Sequence, residues 1–269
     1  MKIIQISAKN LGGLALPSFC PRCFWIRLKC RHKLPFQAFP GIFASIDSYS
    51  KKVTQTHFRQ HGRLPQWFDG FGRLGTPIPV PGWSRFQMLD RETNILVTGV
   101  PDEILRHATY GIWIGDYKTA RFTNCQDALA PMYATQLNCY GLIAPKIGLG
   151  PVYGLGLLYY EPVTDPGIVN SDSLIKAGSF FMEFSPKIRH VKLEPETIPP
   201  LLRRVREIAD LSQSPPGRVG CADCDALQAL IETTKGSFSS LKEDLFRSLN
   251  SQGHVSAGQG STQLDEKCL

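Results

Sequence analysis

Two aspartates and a lysine follow apolar runs in the middle of the chain. The stretch GDYKTA places Asp116 and Lys118 behind one apolar run, and the stretch TGVPDEI places Asp102 fourteen residues before Asp116. Because side chains alternate along a strand, Asp116 and Lys118 point to one side and Tyr117 to the other. Carboxylate oxygens are the usual ligands of Mg²⁺ and Mn²⁺, and such an ion activates water and stabilises charge on a phosphate. The spacing D-x-K alone is more typical of a solvated strand end.

The segment that follows the lysine adds two polar side chains to this group. Residues 126–143 have the pattern of a helix, and Gln136 and Tyr140 are four residues apart on one of its faces. A buried polar face beside an acidic strand end is easier to explain as a functional site than as packing. The sequence therefore favours a site that combines this helix with the two strand ends.

The pattern of elements predicts one α/β domain with additions at both ends. Apolar residues at helical spacing predict a helix over 42–61, on which Ile42, Ile46, Tyr49 and Val53 share a face. The remaining predicted elements are a hairpin of strands at 85–89 and 95–105, a strand at 110–120, the helix at 126–143, strands at 152–162 and 178–186, and a helix at 195–214. We predict a single domain over residues 1–232 and a polar, disordered tail over 233–269.

These motifs occur in an order that resembles a known family. The series G-V-P-D ending at Asp102, D-Y-K from Asp116, and Q-x-x-x-Y from Gln136 to Tyr140 is similar to that of the RecB-like branch of the PD-(D/E)XK nuclease superfamily. Uncharacterised relatives in that branch also have an N-terminal segment resembling CPRCF. The resemblance implies a restriction-endonuclease-like core of a helix, a three-stranded mixed sheet, a helix and a strand, with cysteine-bearing extensions at both ends.

The resemblance also implies a role for each motif residue. Asp102 and Asp116 would be metal ligands and Lys118 a catalytic residue, with the Tyr117 carbonyl as a further ligand. Two residues on the following helix would position the DNA backbone or the active-site groups, namely Gln136 and Tyr140.

One ligand remains open, because the family also uses an acidic residue or a histidine on its first helix. His57 and Asp47 both lie in the helix predicted at 42–61, and His61 is a third option. The sequence does not choose among them.

Two C-x-x-C pairs lie near opposite ends of the sequence. Cys20 and Cys23 form one pair and Cys221 and Cys224 the other, with Cys30 as a spare candidate. In a chain without a visible export signal, such pairs indicate a metal or redox site before disulfides. The spacing is equally a Cys₄ zinc pattern and a [4Fe–4S] pattern, although relatives with a cluster use one cysteine before the core and three after it. The competing interpretation is four unrelated reduced cysteines.

Composition is compatible with a polyanionic partner. The formal net charge is +7 and the pI is near 9.0, which fits nucleic acid but is shared by many proteins that bind none. Two basic groups can contact phosphates or form ordinary solvated faces: Arg22, Arg27, Lys29, Arg31 and Lys33, and Arg203, Arg204 and Arg206. No secretory signal and no membrane span is visible, so we expect a cytoplasmic protein with no membrane contact.

The sequence as a whole predicts an Mg²⁺- or Mn²⁺-dependent nuclease that hydrolyses DNA phosphodiester bonds in repair, recombination or defence. No helicase motif is visible, so a helicase or other repair partner would be a separate chain. The alternative is a non-catalytic nucleic-acid-binding or assembly protein that keeps the nuclease fold. A third interpretation, a zinc-ribbon-like binding module, predicts that residues 90–140 are dispensable.

Overall fold

Two compact units make up the chain. The larger unit is drawn from Met1–Phe19 and Lys33–Leu211, and the smaller unit from Cys20–His32 and Ser212–Leu269. The single domain over 1–232 stays a prediction. The computed structural model describes residues 2–30, 41–119, 124–170 and 172–234.

The described residues contain helices and mixed sheets, so the chain is of the α/β class. The strands are β1 (Ile4–Ser7), β2 (Leu74–Pro77), β3 (Gln87–Asp90), β4 (Ile95–Thr98), β5 (Glu103–His107), β6 (Ile112–Lys118), β7 (Val152–Pro162), β8 (Ile175–Lys176), β9 (Ser179–Phe180) and β10 (Phe184–Val191). The α-helices are α1 (Ala8–Gly12), α2 (Pro21–Lys29), α3 (Gly41–His61), α4 (Asn124–Lys146), α5 (Pro166–Val169), α6 (Ile198–Asp210) and α7 (Ala222–Thr234). Short 3₁₀ turns cover Gly13–Ala15, Gln66–Phe71, Asp172–Leu174 and Pro195–Thr197.

A five-stranded sheet forms the centre of the larger unit, in the order β10-β7-β6-β5-β2. Strands β6 and β7 are parallel, and the other pairs are antiparallel. Strand β6 is buried along nearly its whole length, which explains why it is an apolar run rather than an alternating one. One face of the sheet carries an aromatic core of Phe68, Phe71, Trp113, Tyr117 and Tyr160.

A smaller sheet has the order β1-β4-β3 and corrects the predicted strand at 95–105. The predicted hairpin forms, with β3 antiparallel to β4. The continuous strand is wrong, because β4 ends at Thr98 and β5 begins at Glu103 in the other sheet. Gly99 and Pro101 lie in the break between them, and both residue types interrupt strands. The central sheet has five strands, whereas the predicted core was a helix, a three-stranded mixed sheet, a helix and one further strand.

Helix α3 confirms the predicted helix at 42–61, but its predicted apolar face does not face the core. Ile42, Tyr49 and Val53 are exposed, whereas Ser50 and Thr54 are buried. Thr54 contacts the main sheet through a hydrogen bond between its Oγ1 and the hydroxyl of Tyr160 at 3.2 Å. Polar contacts with the sheet, rather than apolar spacing, therefore set the orientation of this helix.

The guanidinium group of Arg206 on α6 is a structural group rather than a phosphate contact. It is buried and donates hydrogen bonds to the carbonyls of Thr93 at 2.8 Å, Lys2 at 3.1 Å and Asn94 at 3.2 Å. A further hydrogen bond joins it to Asp210. The suggestion that Arg206 contacts DNA is therefore wrong, because all of these groups would have to be released first.

Most other elements match the prediction closely. The helix at 126–143 and the strand at 152–162 are confirmed as α4 and β7. The strand predicted at 178–186 is instead the two-residue β9 followed by β10 from Phe184. The predicted tail lies outside the described residues from 235 onward, and residues 233 and 234 end α7.

Candidate functional site

The register of the main sheet brings the two strand-end aspartates to the same edge. Strands β5 and β6 are antiparallel with Glu103 opposite Gly115, so the residue before β5 lies beside the end of β6. Asp102 is that residue, and its Oδ2 accepts a hydrogen bond of 2.6 Å from the backbone N–H of Tyr117. Asp116 and Lys118 end β6 on the same side, as alternation predicts.

Asp116 is the centre of a hydrogen-bonded group at this edge. Its carboxylate pairs with the ammonium group of Lys118 and accepts a bond of 3.0 Å from Nε2 of Gln136. The same amide donates to the hydroxyl of Tyr140 at 2.8 Å. The lysine ammonium also lies 4.5 Å from the ring centre of Tyr133. Helix α4 therefore covers the acidic strand end with a continuous polar face, as the spacing of Gln136 and Tyr140 predicts.

A second group joins helix α3 to the same edge. The ammonium nitrogen of Lys51 lies 2.7 Å from Oδ1 of Asp102 and 2.8 Å from Oδ2 of Asp47. Of the three candidates on this helix, Asp47 is thus the one linked to the strand-end aspartates. His57 lies ten residues further along α3, about 15 Å along the axis, and its ring packs against that of His61 at 4.5 Å.

Glycine at position 99 allows Tyr140 to approach the sheet. A Cβ atom at this position would lie 2.3 Å from the Tyr140 ring, which is closer than any real contact. The tyrosine hydroxyl also bonds to the carbonyl of Val100 at 3.4 Å. The G-V-P-D stretch therefore needs glycine at position 99, because a larger residue would collide with Tyr140. The sequence alone did not show this contact.

The sequence analysis missed Lys51 and Tyr133 in this group, and the buried Glu103 on the other face of the sheet. Lys51 is four residues after Asp47, and Tyr133 is three residues before Gln136, so helical spacing could have indicated both. Glu103 follows Asp102 directly, but alternation directs its side chain to the opposite, aromatic face.

Burial controls the ionisation of the carboxylates. Burial, followed by the charge of Asp116, raises the pKa of Asp102 to about 6, against the opposing effect of Lys51. Burial also raises the pKa of Asp116, and the ammonium group of Lys118 opposes this shift. Although its own burial opposes charge, the carboxylates of Asp102 and Asp47 raise the pKa of Lys51. The two lysines thus oppose the protonation that burial of these carboxyl groups favours.

Beneath the site, a buried carboxyl group belongs to the aromatic core. Glu103 accepts a hydrogen bond of 3.0 Å from the hydroxyl of Tyr117. Burial raises the pKa of Glu103 to about 7, although the hydrogen bond from Tyr117 opposes the shift. The tyrosine ring packs at right angles to that of Tyr160 with centroids 5.3 Å apart, so this carboxyl group is enclosed by apolar surface.

One buried polar atom of the site has no partner. Oε1 of Gln136 is buried and lacks a hydrogen bond within the described part of the chain. An unsatisfied buried acceptor indicates room for a donor, a water molecule or a cation. This atom belongs to the same amide whose Nε2 contacts Asp116, so the polar group at the strand end has an acceptor that the described residues leave unsatisfied.

The four predicted cysteines come together in the smaller unit. Their sulfur atoms all lie within 4.8 Å of one another. The Sγ atom of Cys224 is 3.5 Å from that of Cys20 and 3.4 Å from that of Cys23, which in turn is 3.7 Å from that of Cys221. Among the described residues, no other set of three or more cysteine, histidine or acidic side chains lies close enough together to share an ion. The quartet can hold a metal such as zinc or an iron–sulfur centre.

Each cysteine pair lies at the start of a helix. Cys20 caps α2 and Cys23 lies in its first turn, while Cys224 lies in the first turn of α7. Helix N-termini favour thiolates, because their free N–H groups and dipole attract negative charge. Although burial opposes ionisation, hydrogen bonds from the backbone and from neighbouring thiols lower the pKa of Cys20 to about 6. One backbone donor is the N–H of Arg218 at 3.3 Å.

The basic segment of α2 has ordinary surface contacts. Arg27 pairs with Asp223 at 3.9 Å, and both side chains are well exposed. Lys29 lies over the ring of Trp25 at 5.2 Å. Arg31 and Lys33 lie outside the described residues, and Cys30 is exposed.

Comparisons with known proteins do not assign the chain to a family. No family model matches the chain, and no curated protein matches its sequence. The solved crystal structure of a protein designated SSO0001 is similar over 80% of this chain and 80% of that chain, at 12% identity and a TM-score of 0.38. A likeness at that level carries no argument about function. Within the described residues, no helix has the length and apolar character that a bilayer span requires.

We expect Glu103 to make folding stability depend on pH. Its pKa lies near 4.5 when unfolded and near 7 when folded, so the folded state holds the proton more tightly. The protonated group therefore stabilises the fold below about pH 4.5, and this contribution is lost as the pH rises through 7. Glu103→Gln keeps an acceptor for Tyr117 and removes the titration. Thermal unfolding in metal-free buffer should show equal stability of variant and wild type near pH 4.5 and a growing advantage of the variant up to pH 8.

The exposed Glu183 provides the control, because Glu183→Gln should leave the pH profile unchanged. A Glu103→Gln profile parallel to that of the wild type across this range would show that folding does not shift the pKa of Glu103, and would contradict this prediction.

Proposed function

We propose that this chain is a metal-dependent nuclease of the RecB-like PD-(D/E)XK type, which hydrolyses DNA phosphodiester bonds with Mg²⁺ or Mn²⁺. On this proposal the restriction-endonuclease-like core consists of α3, the strands around β5 and β6, α4 and β7. The motif order along the chain supports the proposal, because the three motifs resemble those of that family in both order and spacing.

The observation that carries the proposal is the hydrogen-bonded series from Lys118 through Asp116 to Gln136 and Tyr140. These residues come from two motifs on a strand and a helix, and Asp102 from the third motif lies at the same sheet edge. A solvated strand end would not need a buried amide and a buried phenol as partners for its carboxylate. The arrangement is easier to explain as a site that must hold charge away from water.

The residues present fit a hard divalent cation. Asp102 and Asp116 would hold it, with Asp47 as the ligand from the first helix. The buried Oε1 of Gln136, which has no partner among the described residues, belongs to the amide that contacts Asp116. Such an ion, when bound, lowers the pKa of a coordinated water and offsets charge on the phosphate.

The chain's own residues would perform the remaining tasks. Lys118 would donate hydrogen bonds to phosphate oxygens, because its ammonium group is held at the sheet edge between Asp116 and the ring of Tyr133. Gln136 would fix the orientation of the Asp116 carboxylate through its amide. Tyr140 would fix Gln136 in turn, so that the Asp116 carboxylate does not need to reorient during the reaction.

The competing function is a nucleic-acid-binding or assembly protein that keeps the fold without catalysis. One observation favours it, since Lys51 already pairs with both Asp47 and Asp102. On that proposal the carboxylates serve only to hold α3 against the sheet, and DNA is bound but not cut.

For the cysteine quartet we infer a single tetrahedral ion, with zinc as the leading choice. Zinc–sulfur bonds of about 2.3 Å in a tetrahedron place the sulfur atoms about 3.8 Å apart, close to the 3.4–3.7 Å of three pairs here. A [4Fe–4S] cluster would need more room, because each cysteine binds a different iron atom. The ion would join segments 204 residues apart in sequence.

Purified protein should carry about one equivalent of zinc and show no iron–sulfur absorbance. Cys221→Ser should lose most of the metal and unfold at a lower temperature, since metal binding energy is also folding energy. The exposed Cys30 gives a matched control, because Cys30→Ser should keep the metal. Iron and sulfide with visible absorbance would assign a cluster instead, and metal-free protein of unchanged stability would contradict a metal site.

The nuclease activity itself is tested with labelled single- and double-stranded DNA in Mg²⁺ or Mn²⁺. The wild type should cut at least one substrate, and Asp116→Asn and Lys118→Met should each lower the rate by about a hundredfold or more, as the loss of a charge-stabilising group does. Thermal unfolding should show that both variants are folded.

The exposed Asp69 and Lys187 allow charge-matched controls, and Asp69→Asn and Lys187→Met should cut like the wild type. Cleavage by Asp116→Asn at the wild-type rate would rule out this site. DNA binding without cleavage in either metal would favour the non-catalytic alternative.

A further inference from the structure

Lys51 occupies an unusual position for a lysine near a cation site. Its ammonium nitrogen lies 2.7 Å from an oxygen of Asp102 and 2.8 Å from an oxygen of Asp47, so it bridges two carboxylates on different elements. On the proposed function, Asp47 and Asp102 would also be among the carboxylates that hold a divalent ion. The ammonium group and the metal ion would therefore compete for the same pair of carboxylates.

The grouping of acidic side chains is consistent with this competition. Within the described residues, only the four cysteines lie close enough together to share a metal ion. The carboxylates of Asp47, Asp102 and Asp116 are further apart than that. Instead, Lys51 pairs with Asp47 and Asp102, and Lys118 pairs with Asp116. The carboxylates are thus arranged around ammonium groups and would have to close on a metal ion.

Charge balance supports an exchange rather than an addition. Counted at their formal charges, three carboxylates and two ammonium groups carry one net negative charge, so a divalent ion added to all of them would leave the site with excess positive charge. If the ion replaces Lys51 instead, the remaining groups balance. The Lys51 side chain is 29% exposed, so its ammonium group can reach solvent without passing through the core.

We propose that Lys51 is an internal counter-ion that holds Asp47 and Asp102 in place before metal binding, and that an incoming divalent cation displaces it. The proposal rests on the proposed function insofar as both involve the same carboxylates. The exchange gives Lys51 control over metal affinity, because each binding event must break two ion pairs. The displaced ammonium group is then free to pair with an anion such as a substrate phosphate.

The test compares Mn²⁺ affinity between variants that differ only in this charge. Lys51→Met removes the ammonium group and keeps the apolar stem, and Lys51→Gln keeps a polar head group in case the first variant is unstable. Free Mn²⁺ is measured by electron paramagnetic resonance over protein dialysed into metal-free buffer. Both variants should bind Mn²⁺ about tenfold more tightly than the wild type, because the competing ion pairs are absent.

Two controls separate charge competition from general effects on α3. Lys52 is the neighbouring exposed lysine, so Lys52→Met should bind Mn²⁺ like the wild type, as should Lys51→Arg, which keeps the charge. Asp102→Asn added to Lys51→Met should abolish the gain. Equal or weaker binding by both neutral variants would overturn the proposal, as would a gain that survives Asp102→Asn or an absence of Mn²⁺ binding by every variant.

The same proteins distinguish failure of this proposal from failure of the nuclease proposal. Tighter Mn²⁺ binding by Lys51→Met in a protein that cuts no DNA would keep the exchange and remove the nuclease function. Equal Mn²⁺ affinities of wild type and Lys51→Met in a protein that does cut DNA would remove the exchange and keep the nuclease.

Discussion

The buried carboxyl group of Asp116 is the constraint on which the rest of the site depends. A carboxylate in an apolar interior either takes up a proton or needs partners that offset the loss of water. Here one strand supplies Lys118 two residues later, and helix α4 supplies the amide of Gln136. The positions of that strand end and that helix are therefore coupled, because moving either would leave a buried charge without a partner.

The two faces of the main sheet have different roles: one carries the aromatic core and the other carries the candidate site. The aromatic core lies on the face that carries Tyr117, where apolar burial stabilises the fold. The opposite face places Asp116 against α4. Alternation along β6 makes this division unavoidable, since adjacent residues of a strand face opposite sides. Helix α3 reaches both regions, through Thr54 to the aromatic core and through Lys51 to the sheet edge.

Local pattern predicted most strands and helices well, because burial of an element produces apolar runs or regular apolar spacing in the sequence. The apolar run of β6 and the polar face of α4 were both visible, and so were the two cysteine pairs that now lie together. Contacts between residues far apart in sequence produce no such local pattern. The orientation of α3 is decided by Lys51 and Thr54, whose partners lie far away in sequence, so apolar spacing indicated the wrong face. The break after Thr98 was missed because both flanking strands are apolar.

The proposed function requires that the carboxylates at the sheet edge bind a divalent cation. Anomalous diffraction from crystals grown with Mn²⁺ would locate such an ion. We expect an anomalous peak within bonding distance, about 2.2 Å, of oxygens from Asp102 and Asp116, with the Lys51 ammonium group no longer between Asp47 and Asp102. Saturating Mn²⁺ with no peak at this edge, and Lys51 still paired with both aspartates, would contradict it.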